Sequence, residues 1–131
     1  MPSEGAKRVL LVEQHHALRA ALCDLVRSWG HVVRDAANGR KALAIALWWQ
    51  PGVVCLDLDL PLMSAYDVAK RIAAFGESRP LLIGVSGVGH AAERQRAADA
   101  GFDAFVVKPG VETLSDLLRG GEVLRKAVRS A

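Results

Sequence analysis

The stretch VVCLDLDLPLMSAYDVAKRI, residues 53–72, decides the fold. Val53 to Leu58 is a short apolar run between the breakers Pro51-Gly52 and Pro61, which reads as a buried strand. From Ala65 to Phe75 the period changes to that of a helix, with Val68, Ile72 and Phe75 on the inward face. Between the two lie Asp57 and Asp59. An acid closing a buried strand is a costly placement unless it meets partners or does chemistry.

The same alternation runs outward in both directions. Val9 to Val12 is an apolar strand, and His16 to Trp29 a helix with Leu18, Leu22, Leu25 and Trp29 on one face, ended by Gly30. His31 to Ala36 is a weaker strand. Asn38-Gly39 turns the chain into the helix Lys41 to Trp49. Beyond the central segment come the strand Leu81 to Val85, the helix Ala91 to Ala100 closed by Gly101, the strand Ala104 to Val107, and the helix Glu112 to Arg119 with Leu114, Leu117 and Leu118 inward. Gly120-Gly121 interrupts that helix, each glycine costing about 1 kcal/mol relative to alanine. Five strands alternating with five helices on short connections imply an α/β fold, a doubly wound parallel sheet covered on both faces. The chain reads as one domain over residues 1–131, with its core at about 8–119 and residues 120–131 a helical continuation or a tail.

Composition excludes several classes. No apolar run approaches the ~18 residues of a membrane span, and Met1 to Lys7 lacks the apolar middle of a signal peptide, so the expected location is the cytoplasm. Cys23 and Cys55 lack metal-type spacing and read as buried, reduced thiols. Lys and Arg total 17 against 14 acids, for a net charge of +3. The nearest basic grouping, Arg119, Arg125, Lys126 and Arg129, is a solvated helix face rather than a nucleic-acid stripe.

In an open parallel sheet, ligands gather at the carboxyl ends of the strands. Those ends carry Glu13 and Gln14, Asp57 with Asp59 just beyond, Ser86, and Lys108. Acids, a hydroxyl and an amine therefore converge on one edge from distant parts of the chain.

VLLVEQHHALRAAL, LDLDLPLMSAYDVAKRI, GVSG and GFDAFVVKP, in this order and spacing, resemble the motifs of bacterial response-regulator receiver domains over roughly Arg8 to Arg119. The resemblance implies a five-stranded flavodoxin-like fold and a phosphoaspartate switch rather than an enzyme. Asp57 is then the phosphoacceptor, supplied by a histidine kinase or a histidine phosphotransfer protein. Mg²⁺ is implied at Glu13, Asp57 and the backbone carbonyl of Asp59, with Gln14 at the remaining ligand position. Lys108 pairs with the carboxylate and then with the phosphoryl group, and Pro109 after it often follows a cis bond in the family. Ser86 and Phe105 are the switch residues. The output surface is the fourth helix, fifth strand and fifth helix, about Ala91 to Arg119. Nucleic-acid and membrane partners are not implied, and a homodimer is compatible with the resemblance.

Gln14 is the main departure, since the family usually has a second acid there. An amide oxygen lacks the charge that a hard cation favours, so Mg²⁺ is expected to bind weakly. Ser64-Ala65 replaces a common Asp-Gly pair, and Ser64 reads as a helix N-cap. His15 and His16, adjacent at a helix start, read as surface residues. An alternative follows from Gln14: a degenerate receiver that binds a partner without phosphorylation. A remote one is a haloacid-dehalogenase-like phosphatase, because DLD contains D-x-D. That motif ends the first strand in such enzymes, whereas here it ends the third and is followed by Leu60. Finally, Trp48 and Trp49 cannot both face the sheet, so one is exposed as a candidate partner contact.

Overall fold

Val53–Asp57 (β3) lies at the centre of a five-stranded parallel sheet and is buried along its whole length. In the computed structural model, which describes residues 5–108 and 110–120, the other elements are β1 (Arg8–Val12), α1 (His16–Ser28), β2 (Val32–Ala36), α2 (Gly39–Trp49), α3 (Ala65–Ala73), β4 (Leu81–Ser86), α4 (Ala91–Ala100), β5 (Ala104–Val107) and α5 (Val111–Gly120). A 3₁₀ turn, Gly76–Ser78, follows α3. The strand order is β2-β1-β3-β4-β5, so the direction of winding reverses between β1 and β3. That reversal opens a crevice at the carboxyl ends of these two strands.

Side chains alternate across the sheet, and two cores result. Leu10, Val12, Val54, Leu56 and Leu82 face α2, α3 and α4, meeting Ala42, Ala46, Val68 and Ile72. Val9, Leu11, Cys55, Ile83, Ala104 and Val106 face α1 and α5, meeting Cys23, Val26, Leu114, Leu117 and Leu118. Both cysteines are free and buried, and burial pushes the Cys55 thiol up to about 12.

Local chemistry sets the element ends. Asn38 caps α2, its side chain accepting from Lys41 N at 3.0 Å, and Ser64 caps α3 by accepting from Tyr66 N at 3.1 Å. Asn38-Gly39, read as a turn, therefore opens the helix directly. Gly39 packs so closely on α3 that a Cβ would lie 2.6 Å from Val68 Cγ2. Gly101 ends α4 at φ 105°, the left-handed conformation that glycine adopts freely. Below β4 and β5, the buried Asp103 carboxylate pairs with Arg79 and accepts from Leu82 N at 2.9 Å.

One expectation needs correction. Leu18, Leu22, Leu25 and Trp29 were expected to form the inward face of α1, but its fully buried residues are Cys23 and Val26, with Leu22 and Trp29 at their margin. Leu18 is 37 % exposed. Beside it lies a cavity of about 210 Å³ whose lining includes Leu11, Leu18, Leu22 and Leu114 and reaches Glu13, Asp57 and Lys108. The Lys108–Pro109 bond, the continuation past Gly120, and Arg125, Lys126 and Arg129 lie outside the described residues.

Candidate functional site at the carboxyl edge of the sheet

Three charged side chains meet in the crevice. Glu13 follows β1 and is 1 % exposed, and Asp57 ends β3 and is 4 % exposed. Lys108 follows β5, and its backbone N–H donates to the Ser86 carbonyl at 2.8 Å, which aims the side chain back across β4. Its Nζ lies 3.2 Å from Glu13 Oε1 and 3.3 Å from Asp57 Oδ2. The remaining carboxylate oxygens accept from backbone: Asp57 Oδ1 from Asp59 N at 2.9 Å, and Glu13 Oε2 from His15 N at 3.0 Å. Each acid is thereby held by its own following loop, and one amine serves both.

The two carboxyls differ in proton affinity. Burial raises the pKa of Asp57, and the adjacent Glu13 carboxylate adds to this, against the Asp59 N–H and the Lys108 charge. For Glu13, burial is also the largest influence, but the His15 N–H, Asp57 and Lys108 together outweigh it and lower the pKa. Lys108 loses some proton affinity to burial and regains more from Asp57 and Glu13, so its pKa is raised. The shared surroundings thus shift the two carboxyls in opposite directions.

Gln14 lies beside this group. Its Nε2 donates to the Asp59 carbonyl at 2.9 Å, tying the loop after β1 to the loop after β3. The Asp59 side chain is exposed. Its backbone N–H and carbonyl, rather than its carboxylate, make the contacts at the crevice, which weakens the D-x-D phosphatase reading, since that reading needs a second carboxylate at work.

Ser86 and Phe105 stand on the opposite pleat, toward α4. Ser86 Oγ donates to Glu93 and accepts from Val88 N at 3.1 Å and Gly89 N at 3.3 Å. Phe105 is half-buried under the guanidinium of Arg94, 4.6 Å from the ring centroid. Trp48 and Trp49 are not at this edge, because α2 carries them to the other end of the sheet. There Trp48 is 61 % exposed and Trp49 packs partly into the core, with Arg34 4.7 and 5.4 Å from their rings. His15 and His16 are exposed. Among the described residues, no three His, Cys, Asp or Glu side chains are grouped as a metal site. Nor is any described helix long and apolar enough to cross a membrane.

Sequence reading missed Glu93, Arg94 and Arg19. Arg19 braces the acidic loop, donating from Nη1 to the Glu13 carbonyl at 2.9 Å and from Nε to Asp35 at 2.8 Å. Its position one turn into α1 was the available signal. Glu93 and Arg94 carry no motif.

Residues 9–119 match the model of the response regulator receiver domain. The chain belongs to this family. Receiver relatives include the transcriptional regulatory protein PdtaR of Mycobacterium tuberculosis, 30 % identical over 86 % of this chain and 53 % of its own length. A protein-glutamate methylesterase/protein-glutamine glutaminase of Paramagnetospirillum magneticum is 31 % identical over 89 % of the chain and 33 % of its own length. The chain thus spans about a third of the methylesterases it matches. Among solved structures, the receiver fold is shared with the chemotaxis protein CheY4 of Vibrio cholerae, at TM-score 0.82, 24 % identity and coverage of 88 % and 98 % of the two chains. The receiver domain of the sensor histidine kinase PA1611 of Pseudomonas aeruginosa has magnesium coordinated in its active-site cleft; it matches at TM-score 0.76, 22 % identity and coverage of 88 % and 98 %. The receiver family works in two-component phosphorelay signalling, and the flavodoxin-like fold expected from the sequence is the one observed.

Proposed function

We propose that this receiver takes a phosphoryl group on Asp57 from the phosphohistidine of a cytoplasmic kinase or phosphotransfer protein. The observation that carries this reading is the buried Asp57 carboxylate at the end of the central strand, with Lys108 Nζ 3.3 Å away. In the transfer, the phosphorus–nitrogen bond breaks as an Asp57 oxygen forms the new phosphorus–oxygen bond, and the histidine keeps the electron pair. Asp59 N–H orients the carboxylate, and Lys108 follows the charge from the aspartate to the phosphoryl oxygens. The chain is a switch rather than an enzyme, and its output runs through α4, β5 and α5. Trp48, exposed at the far end of the sheet, is a second contact surface, beside the partly buried Trp49.

The donor set fits Mg²⁺ in kind but weakly. Glu13 and Asp57 offer buried carboxylates, and Asp59 a carbonyl, the oxygen ligands a hard cation takes. The Gln14 amide already donates to that carbonyl and brings no charge of its own. Bound Mg²⁺ supplies charge that offsets repulsion between Asp57 and the phosphoryl group. The Gln14–Asp59 bond is also the one observation that favours the second reading, an interaction module that works without phosphorylation.

Beryllofluoride, which stands in for the phosphoryl group on an aspartate, separates the readings. Amide NMR on the parent chain and on Asp57→Asn, with and without Mg²⁺, is expected to give Mg²⁺-dependent shifts at Ser86 and Phe105 that the variant abolishes. A spectrum unchanged at millimolar Mg²⁺ would establish the module reading instead.

A further inference from the structure

Both switch residues touch the first turn of α4, and they touch consecutive side chains. Ser86 Oγ donates to the Glu93 carboxylate, and Phe105 lies under Arg94. A serine hydroxyl has one proton to donate and two lone pairs to accept with. Here the lone pairs meet the N–H groups of Val88 and Gly89, and the proton meets Glu93. The hydroxyl is saturated.

We propose that Glu93 is a latch that holds the switch in its resting arrangement. This rests on the phosphoacceptor reading of Asp57. Phosphoryl oxygens only accept hydrogen bonds, so Ser86 reaches them solely by taking its one proton away from Glu93. Glu93 and the phosphoryl group are therefore exclusive competitors for one donor. α4 suits a moving element, because Ala97 and Ala100 are its only buried residues and most of its surface is polar. When Ser86 leaves Glu93, the first turn of α4 loses a tether to β4. Arg94 sits on that same turn, so its release frees the Phe105 ring. The serine and the aromatic are coupled through the helix, without contact between them being needed. Glu93 is a positioning residue, since it acts through Ser86 and touches no reacting atom.

The test compares the full chain with Glu93→Ala and Glu93→Asp by beryllofluoride titration at saturating Mg²⁺, read from the amide resonances of Val88, Gly89 and Phe105. Alanine removes the acceptor; aspartate keeps the charge but withdraws it by one methylene. Both variants are expected to bind about tenfold more tightly, the factor that corresponds to one hydrogen bond to a charged group at a partly exposed site. Without ligand, their Val88 and Gly89 resonances should already lie part-way toward the liganded positions of the parent. Equal affinity in all three proteins overturns the latch and leaves Asp57 as phosphoacceptor intact. Tightening in Glu93→Ala alone also overturns it, since the effect is then one of charge. Binding by the variants but not the parent supports it. Binding by none of the three overturns the phosphoacceptor reading, and the latch with it.

Discussion

Asp57→Asn should make the fold more stable at neutral pH, because the carboxylate it removes is held there against solvation and against a like charge. Asp57 Oδ2 and Glu13 Oε1 lie 3.3 and 3.2 Å from the same Lys108 nitrogen. Those contacts limit the two oxygens to about 6.5 Å apart, where like charges repel by about 2.5 kcal/mol at an effective dielectric near 20. Lys108 offsets part of this, but its side chain is 32 % exposed and divides its attraction between two acids. Its contact with Asp57 is therefore worth about 1 kcal/mol after screening. Asparagine keeps Oδ1 as acceptor for Asp59 N and can turn an N–H toward Glu13, a neutral-donor bond worth about 1 kcal/mol. The net gain is about 2.5 kcal/mol, or roughly 9 °C in Tm for a chain of this length. The pH dependence follows from the sign of the shift. The folded state raises the Asp57 pKa above its ordinary 3.8. Stability from the protonated form is complete below that value and is lost as pH rises through the folded pKa. The advantage of asparagine should thus be small in acid, grow as Asp57 ionises, and level off toward neutrality. Urea unfolding followed by tryptophan fluorescence, from acid to pH 7.5, measures it. A variant less stable than the parent at pH 7, or one whose advantage is the same at every pH, would refute the reasoning.

Three further outcomes are expected. Gln14→Asp frees the Asp59 carbonyl and adds a ligand charge, so calorimetric Mg²⁺ affinity should rise about ten- to hundredfold. Asp103→Ala leaves the Arg79 cation, 17 % exposed, without its partner and Leu82 N without its acceptor; urea unfolding should show a loss of about 3–5 kcal/mol. Gly39→Ala forces a methyl against Val68 across α2 and α3, and should cost about 1–3 kcal/mol in the same assay without changing beryllofluoride binding.

The alternation of elements was legible because most strands are short apolar runs and several helix ends carry a local marker, such as Ser64 or Gly101. These are one-dimensional signals. The facing of α1 was misread because its leucine stripe marks where apolar side chains lie. Which of them become buried is a matter of packing between elements distant in sequence. Glu13, Asp57 and Lys108 were found from strand ends, since parallel strands must deliver their last residues to one edge. The Gln14–Asp59 bond was not legible: sequence showed a charge missing, whereas the donor that replaced it is a matter of geometry. Glu93 was hidden for the same reason. Seven residues from Ser86 across a loop, it meets the hydroxyl only because the loop after β4 folds back.

The pleat of the sheet divides this molecule's labour. Glu13, Asp57 and Lys108 continue the rows that face α1 and α5, whereas Ser86 and Phe105 continue the rows that face α4. The acid–amine cluster and the Ser86–Phe105 pair therefore occupy opposite faces of the sheet and approach each other at its carboxyl edge. On the proposed reading, a substitution on the α4 side reaches the acid–amine cluster only through the competition for the Ser86 proton.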